Sequence, residues 1–308
     1  MSEKPKVLVF PCGTEIGLTI WDSLRHMNEI ELWGASSADD HGRFVYKNYI
    51  GGVPMVDSPD FVPYLSLVCE INEIDYIYPA HDDVIVALAG FSMAWKPITP
   101  DYGVCRVCRS KAKTYRLFPE ISPIQWTYER GENLAIRWFC KPDKGQGSKG
   151  CYIIEADEIG RVDMVKYTIV EYLPGPEFTV DCFTDRHGVL RFCEGRNRTR
   201  IKNGIAVRTK RVVNPEFRRL ADIIGSRLKM RGQWFFQVKE DSKGELKLLE
   251  IAPRPAGSSI LWTAHGVYLP KLTVLDRMGL DVEIDFVEDS VEMDRALGHR
   301  FWYERKAV

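Results

Sequence analysis

Residues 145–150 read Gly-Gln-Gly-Ser-Lys-Gly, and what flanks this G-x-G-x-x-G hexapeptide limits the fold more than any other feature of the chain. A dinucleotide-binding turn of that form must close a strand and open a helix, so that a pyrophosphate rests on the helix N-terminus. Here Phe139-Cys140-Lys141 leads in and Cys151-Tyr152-Ile153-Ile154-Glu155 leads out. β-Branched and aromatic residues on both sides favour strands. The hexapeptide is therefore read as the tip of a β-hairpin. A tip poor in Cβ atoms can still fold over a ligand with its N–H groups aimed at phosphate oxygens; a plain flexible turn is the competing reading. Lys141, at the end of the incoming strand before Pro142, adds a fixed cation beside that tip.

A second hairpin carries polar groups among apolar ones. Strands over 233–239 and 245–251 flank the turn Asp241-Ser242-Lys243-Gly244. With a two- or four-residue loop, Gln237 stands opposite Leu248 and Phe235 opposite Glu250. Gln237, Glu250 and Ala252 then share one face, and Trp234, Phe236, Leu249 and Ile251 the other. On that register Gln237 and Glu250 are diagonal neighbours roughly 7–8 Å apart. One Mg²⁺ fits between them and can hold nucleotide phosphates. A three- or five-residue loop would put the two on opposite faces. Arg254, boxed between Pro253 and Pro255, follows in a rigid turn suited to a phosphate or carboxylate. The densest basic run, Arg196-Asn197-Arg198-Thr199-Arg200 with Arg208, is either a solvated face or a site for an anionic substrate.

Periodicity orders these pieces. Lys6–Phe10, 30–36 and Tyr76–Pro79 read as strands. Helical patterns lie between them, one with Ile16, Ile20, Leu24 and Met27 on a single face and one over 61–73. Strand alternating with helix predicts a parallel sheet with right-handed crossovers, so residues 1–100 form a small α/β domain ending near Lys96-Pro97-Ile98-Thr99-Pro100. Beyond it come a helix over 109–118 and strands over 135–141, 150–155, 168–172, 178–184 and 189–194. A further helix over 216–229 has Asn214 as N-cap and Pro215 at its first position.

With 42 Lys and Arg against 43 Asp and Glu, the net charge is −1, which gives no general electrostatic reason to expect nucleic acid or an anionic membrane as partner. No apolar run approaches the ~18 residues that span a bilayer, and the N-terminus lacks a cleavable leader, so a cytoplasmic protein is expected. The eight cysteines read as small buried hydrophobes. Cys105-Arg106-Val107-Cys108 has no second pair to complete a zinc site. His81, beside Asp82 and Asp83, is either structural or part of a cleft.

Taken in order, KVLVFPCGTEIGLTIWDSL, YIYPAHDDV, SKAKTYRLF, FCKPDKGQGSKGCYII, IVEYLPGPEFTVDCF and GQWFFQVKED…LKLLEIAPRPAG resemble the ATP-grasp superfamily, more narrowly its carbamoyl-phosphate-synthase-like carboxylate–amine ligase branch. The resemblance implies an N-terminal parallel-sheet α/β domain (1–100) followed by a two-lobed ATP-grasp domain with antiparallel sheets (101–308). The glycine-loop lobe would cover about 115–173 and the metal-binding lobe about 174–308. It implies ATP and Mg²⁺, with Mn²⁺ as a substitute, and small-molecule carboxylate and amine substrates, with a homodimer as an option. Lys113 and Lys141 would contact phosphates and adenine, with Gly145, Gln146, Gly147 and Ser148 closing over the phosphates. Glu171 and the backbone of Tyr172 and Leu173 would hold the adenine edge, and Glu177 the ribose. Gln237 and Glu250 would ligate magnesium. Arg254 would steady the γ-phosphate or an acyl-phosphate, with Arg196 and Arg208 as candidate substrate-binding cations. One departure stands out: Ala252 occupies a position where such proteins usually carry a ligating Asn. The implied chemistry is attack of a carboxylate on the γ-phosphorus, then capture of the acyl-phosphate by an amine or similar nucleophile. A protein kinase would need H-R-D and D-F-G, and neither tripeptide occurs. A catalytically weak or inactive ATP-binding regulatory module remains the alternative.

Overall fold

The computed structural model describes residues 3–91, 94–127, 137–145, 147, 149–202 and 204–296. Its first layer is a parallel sheet of order β3-β2-β1-β4-β5, from β1 (Lys6–Phe10), β2 (Glu31–Ala35), β3 (Asn48–Ile50), β4 (Tyr76–Pro79) and β5 (Lys96–Pro97). Helices α1 (Glu15–Leu24), α2 (Phe61–Ile71) and α3 (Asp82–Ala89) make its crossovers. α1 buries Ile20 and Leu24 against Val7 and Val9 on one face, while α2 buries Phe61 and Leu65 against Leu8 and Phe10 on the other. The short strands β3 and β5 escaped the sequence reading because neither has room for a period-2 pattern. His81 caps α3, its Nδ1 accepting the Asp83 N–H at 3.2 Å.

The helix expected over 109–118 is α5 (Lys111–Leu117), and a second helix the sequence reading did not give, α4 (Tyr102–Cys108), precedes it. Ser110 between them is extended, and its hydroxyl accepts the Lys113 N–H at 3.2 Å. The same hydroxyl donates to Asp143, whose carboxylate also accepts the Ala112 N–H at 2.8 Å. A distant carboxylate thus caps α5 and favours its start. Cys105 and Cys108 lie buried on α4. Burial pushes the Cys105 thiol up to about 12 and the Cys108 thiol well above its ordinary value, as suits packed thiols rather than metal ligands.

Two antiparallel sheets follow. The small one, order β7-β6-β8, joins β6 (Trp138–Pro142), β7 (Tyr152–Ile154) and β8 (Tyr167–Glu171). β6 and β7 pair antiparallel, and Gly145, Gly147 and Gly150 lie in the chain between them, so the glycine-rich segment belongs to a hairpin connection. The large sheet runs β11-β12-β10-β9-β13-β14, with β15 (Glu292–Asp294) on β12. Its strands are β9 (Glu177–Thr184), β10 (Leu190–Asn197), β11 (Arg200–Lys202), β12 (Ile205–Val212), β13 (Gly232–Glu240) and β14 (Leu246–Ala252). α6 (Pro215–Arg227) covers one face, setting Phe217, Leu220 and Ile224 against Val180, Phe236 and Ile251. Asn214 caps it and Pro215 opens it, as the sequence predicts. On the other face a 3₁₀ turn (Ser259–His265) packs Trp262 against Phe183 and Phe192, and α7 (Leu269–Arg277) follows. No helix among the described residues is long and apolar enough to cross a membrane.

Candidate active site between two sheets

A cavity of about 160 Å³ opens between the small sheet and the β9–β13–β14 side of the large one. Lys141, Gly145, Gly147, Glu171, Tyr172, Leu173, Glu177, Gln237 and Glu250 all line it. Strand geometry explains the convergence. β6 delivers Lys141 at its end, β8 runs out into Tyr172 and Leu173, and β9 begins at Glu177. Phe139 and Val170 supply an apolar wall at that end.

The β13–β14 register corrects the expected one. The turn 241–245 has five residues, closed by the Asp241 carboxylate accepting the Lys243 and Glu245 N–H groups at 2.8 and 2.9 Å. That length alone would have parted Gln237 from Glu250. A bulge between Gln237 and Val238 restores the pair: Val238 faces Leu248, yet Gln237 faces Glu250 directly. Leu249 is the extra residue. It lines the cavity rather than joining the core, and its carbonyl accepts the Tyr115 hydroxyl at 2.7 Å. A bulge leaves one residue unpaired in the ladder, and here α5 partners that residue's carbonyl. Directly opposed, the pair has Cβ atoms ~5 Å apart rather than in diagonal contact.

The donor set suits a hard cation shared with phosphates. No group of three or more His, Cys, Asp or Glu able to hold a metal occurs among the described residues. One carboxylate and one amide oxygen fit Mg²⁺ that keeps waters and takes its remaining ligands from a substrate. Ala252 sits buried with Phe235 and Ala256 in a small apolar cluster, so a further side-chain ligand is absent there.

Lys141 is only 5% exposed, its ammonium 4.9 Å above the Tyr115 ring. Burial, with the neighbouring Lys111 charge, pulls its pKa down to about 7. Lys113 is exposed and lines no part of the cavity. Lys111, one helical position after the Ser110 cap, does line it and donates to the Gly145 carbonyl at 3.0 Å. Lys111 escaped the sequence reading because the start of α5 depends on Asp143. Gln146 and Ser148 lie outside the described residues. Gly204, in the β11–β12 turn with φ +77°, approaches the glycine loop so closely that a Cβ built on it would lie 2.1 Å from the Gly147 Cα. Only glycine fits that contact.

The basic run divides. Arg198, 7% exposed, pairs its Nε with Glu177 at 2.7 Å on the cavity wall. Arg196 is instead sealed inside, paired with buried Asp181 at 2.7 Å, while Trp262 donates to the same carboxylate at 2.8 Å. Arg208 pairs with Asp294 on β15 at 2.6 Å, half exposed. The structure thus brings neither Arg196 nor Arg208 to the cavity: strand alternation fixes a face, but the overlying 3₁₀ turn and β15 decide what covers it.

Arg254 lines a smaller adjoining cavity, which shares Lys111, Gly145 and Glu250 with the first. Its Nη2 donates to Asp82 at 2.9 Å and its guanidinium lies 5.2 Å over Phe235. Burial would raise the Asp82 carboxyl, but the charge and hydrogen bonds of Arg254, with Arg109 nearby, hold it well below the usual carboxylate range. Next to it Asp83 pairs with Arg109 at 2.7 Å, and Arg109 Nη1 also donates to the Lys144 carbonyl at the base of the glycine loop.

This layout has solved counterparts. The biotin carboxylase domain of Hydrogenobacter thermophilus 2-oxoglutarate carboxylase, in complex with MgADP, ADP and bicarbonate, matches with a TM-score of 0.74 at 13% identity, over 93% of this chain and 72% of that one. A family model described as "ATP-grasp in the biosynthetic pathway with Ter operon" matches residues 163–296. The chain has the ATP-grasp fold. Two more ATP-grasp structures agree. N5-carboxyaminoimidazole synthetase from Staphylococcus aureus complexed with ADP gives a TM-score of 0.73 at 14% identity, over 91% of this chain and 78% of that one. The Campylobacter jejuni biotin carboxylase–β-γ-ATP complex gives 0.70 at 14%, over 92% and 73%. No curated protein sequence matches the chain. The ATP-grasp resemblance read from the sequence is therefore borne out at the level of fold.

Proposed function

We propose that the protein is an ATP-dependent ligase that activates a small-molecule carboxylate as an acyl-phosphate for attack by an amine or similar nucleophile. One observation carries this reading: Gly145 and Gly147 of the glycine loop, Lys141, Lys111 and the Gln237–Glu250 pair line a single cavity. Adenine would lie along the backbone of Glu171, Tyr172 and Leu173 against Phe139 and Val170. The ribose would meet Glu177, itself held by Arg198. Lys141, Lys111 and the loop N–H groups would take the phosphates. Gln237 and Glu250 would hold Mg²⁺, whose chemistry when bound is to neutralise triphosphate charge during in-line transfer. The adjoining cavity beside Arg254 would take the acid, since it opens next to Glu250, where the γ-phosphate would lie. The residues therefore position groups and exclude water rather than react covalently. Residues 1–100 would act as the N-terminal domain of this enzyme and 101–308 as its ATP-grasp portion, in the cytoplasm.

The description of the matching family as acting in a biosynthetic pathway favours a synthetic enzyme over a silent nucleotide module. The apolar packing of Ala252 with Phe235 and Ala256 favours the second reading. An ADP-release assay over a panel of amino acids, hydroxy acids and amines, with Mg²⁺, separates the two. We expect acid-dependent ADP formation that falls at least ~100-fold in Glu250→Ala while the protein stays folded. ATP binding with no acid-dependent turnover across the panel would leave the module.

A further inference from the structure

On the face of the large sheet away from the nucleotide cavity lies a larger hollow of about 660 Å³, within the ~300–1,000 Å³ range of small-molecule sites. It has no residue in common with the nucleotide cavity. One wall is Thr99–Asp101, leaving the parallel-sheet unit; the others are the β9–β10 turn, α6, residues 228–231 and the end of α7.

Five basic residues and three acidic ones line it. The acids are largely spent. Asp222 is tied to Arg218 at 3.1 Å, and the Asp185 carboxylate accepts the N–H groups of His187 and Val189 within its own turn. Among the cations, Arg277 spans the gap and donates to the Thr99 carbonyl at 2.8 Å, yet its buried Nε has no hydrogen-bond partner. Burial and the adjacent Arg231 charge bring Arg277 down to about 10. Arg231 is directed by Asp276, which it contacts at 3.0 Å, and Lys229 is exposed beside it. Asp276 offsets part of the charge of both guanidiniums, but the buried Arg277 Nε stays unanswered, which is costly unless a further acceptor reaches it. Trp234, Leu228 and Met230 give the hollow an apolar back. Gly225 on α6 leaves it open: a Cβ there would meet nothing within 4 Å.

We infer that this hollow is a second ligand site, for a small organic anion whose phosphate or carboxylate group is received by Arg277, Arg231 and Lys229 while its apolar part lies toward Trp234. Because its walls come from both the parallel-sheet unit and the large sheet, an occupant would bridge them.

Calorimetric titration of phenyl phosphate, succinate and inorganic phosphate tests this, with the nucleotide cavity saturated by MgADP. We expect at least one organic anion to bind with a submillimolar Kd, and inorganic phosphate to bind more weakly. Gly225→Leu adds bulk to the lining at a position where a Cβ meets no neighbour, and Lys229→Gln removes an exposed charge; each should weaken that binding ~10-fold or more with MgADP affinity unchanged. Absence of binding by any probe up to about 10 mM, or equal binding in wild type and Gly225→Leu, would overturn the site.

Discussion

Lys141 keeps an amine largely out of water on the cavity wall, and that decides how the protein should respond to pH. In the free folded protein it titrates at about 7, whereas an unfolded chain holds the proton to about 10.4. Between those values the unfolded chain binds more protons, so this residue makes stability rise with pH across that window. Nucleotide binding runs the other way. Phosphate favours the charged ammonium, so binding above pH 7 should take up a proton and affinity should fall as pH rises. Titrations at pH 8 in buffers of different ionisation enthalpy should reveal that uptake. Lys141→Met should lose it together with about 1–3 kcal/mol of binding; unchanged uptake would refute the assignment. Lys141 and Glu250 were legible in the sequence because a charged residue beside strand apolars must have a reason to be there. Lys111 was not, and Arg198 was legible only as one member of a basic run, since a helix start set by Asp143 and a pairing with Glu177 exist only once distant segments meet.

At the scale of elements, the sequence spelled out strands and helices wherever period and caps agree, as at Asn214-Pro215 and the glycine hairpin. It could not show the five-residue turn and the bulge at Leu249, two irregularities that cancel in register and leave Gln237 facing Glu250. A bulge is set by what receives its unpaired group, here the Tyr115 hydroxyl from another element. The β11–β12 turn offers the sharpest test at this scale. Gly204→Val would place a side chain against the Gly147 backbone and strain a left-handed φ, so the glycine loop should lose its seat. Stopped-flow displacement of a fluorescent ATP analogue should then show dissociation ~10-fold faster with the melting midpoint lowered only slightly. Equal dissociation rates would mean that the contact does not hold the loop.

Across the whole molecule, the site is completed by residues far apart in sequence. Asp82 and Arg254, 172 positions apart, form one charge pair, and Asp83 with Arg109 another that continues to Lys144. Removing a single member of a pair this sheltered leaves the other charge uncompensated, at a cost of about 3–5 kcal/mol when fully buried. Asp82→Ala should therefore lower stability toward that range in denaturant titrations, and Asp82→Asn, which keeps the shape, should lower it less. Parity between the two variants would show that packing, and not charge, fastens Arg254. The same stitching bears on how such a protein can be cut or inherited. A fragment begun after Pro100 would carry Arg254 against Phe235 and Arg109 beside the loop without the carboxylates of Asp82 and Asp83 that pair with them. The opening segment is thus part of the wall of the candidate site itself, and exchanging it between relatives should succeed only when both acids travel with it.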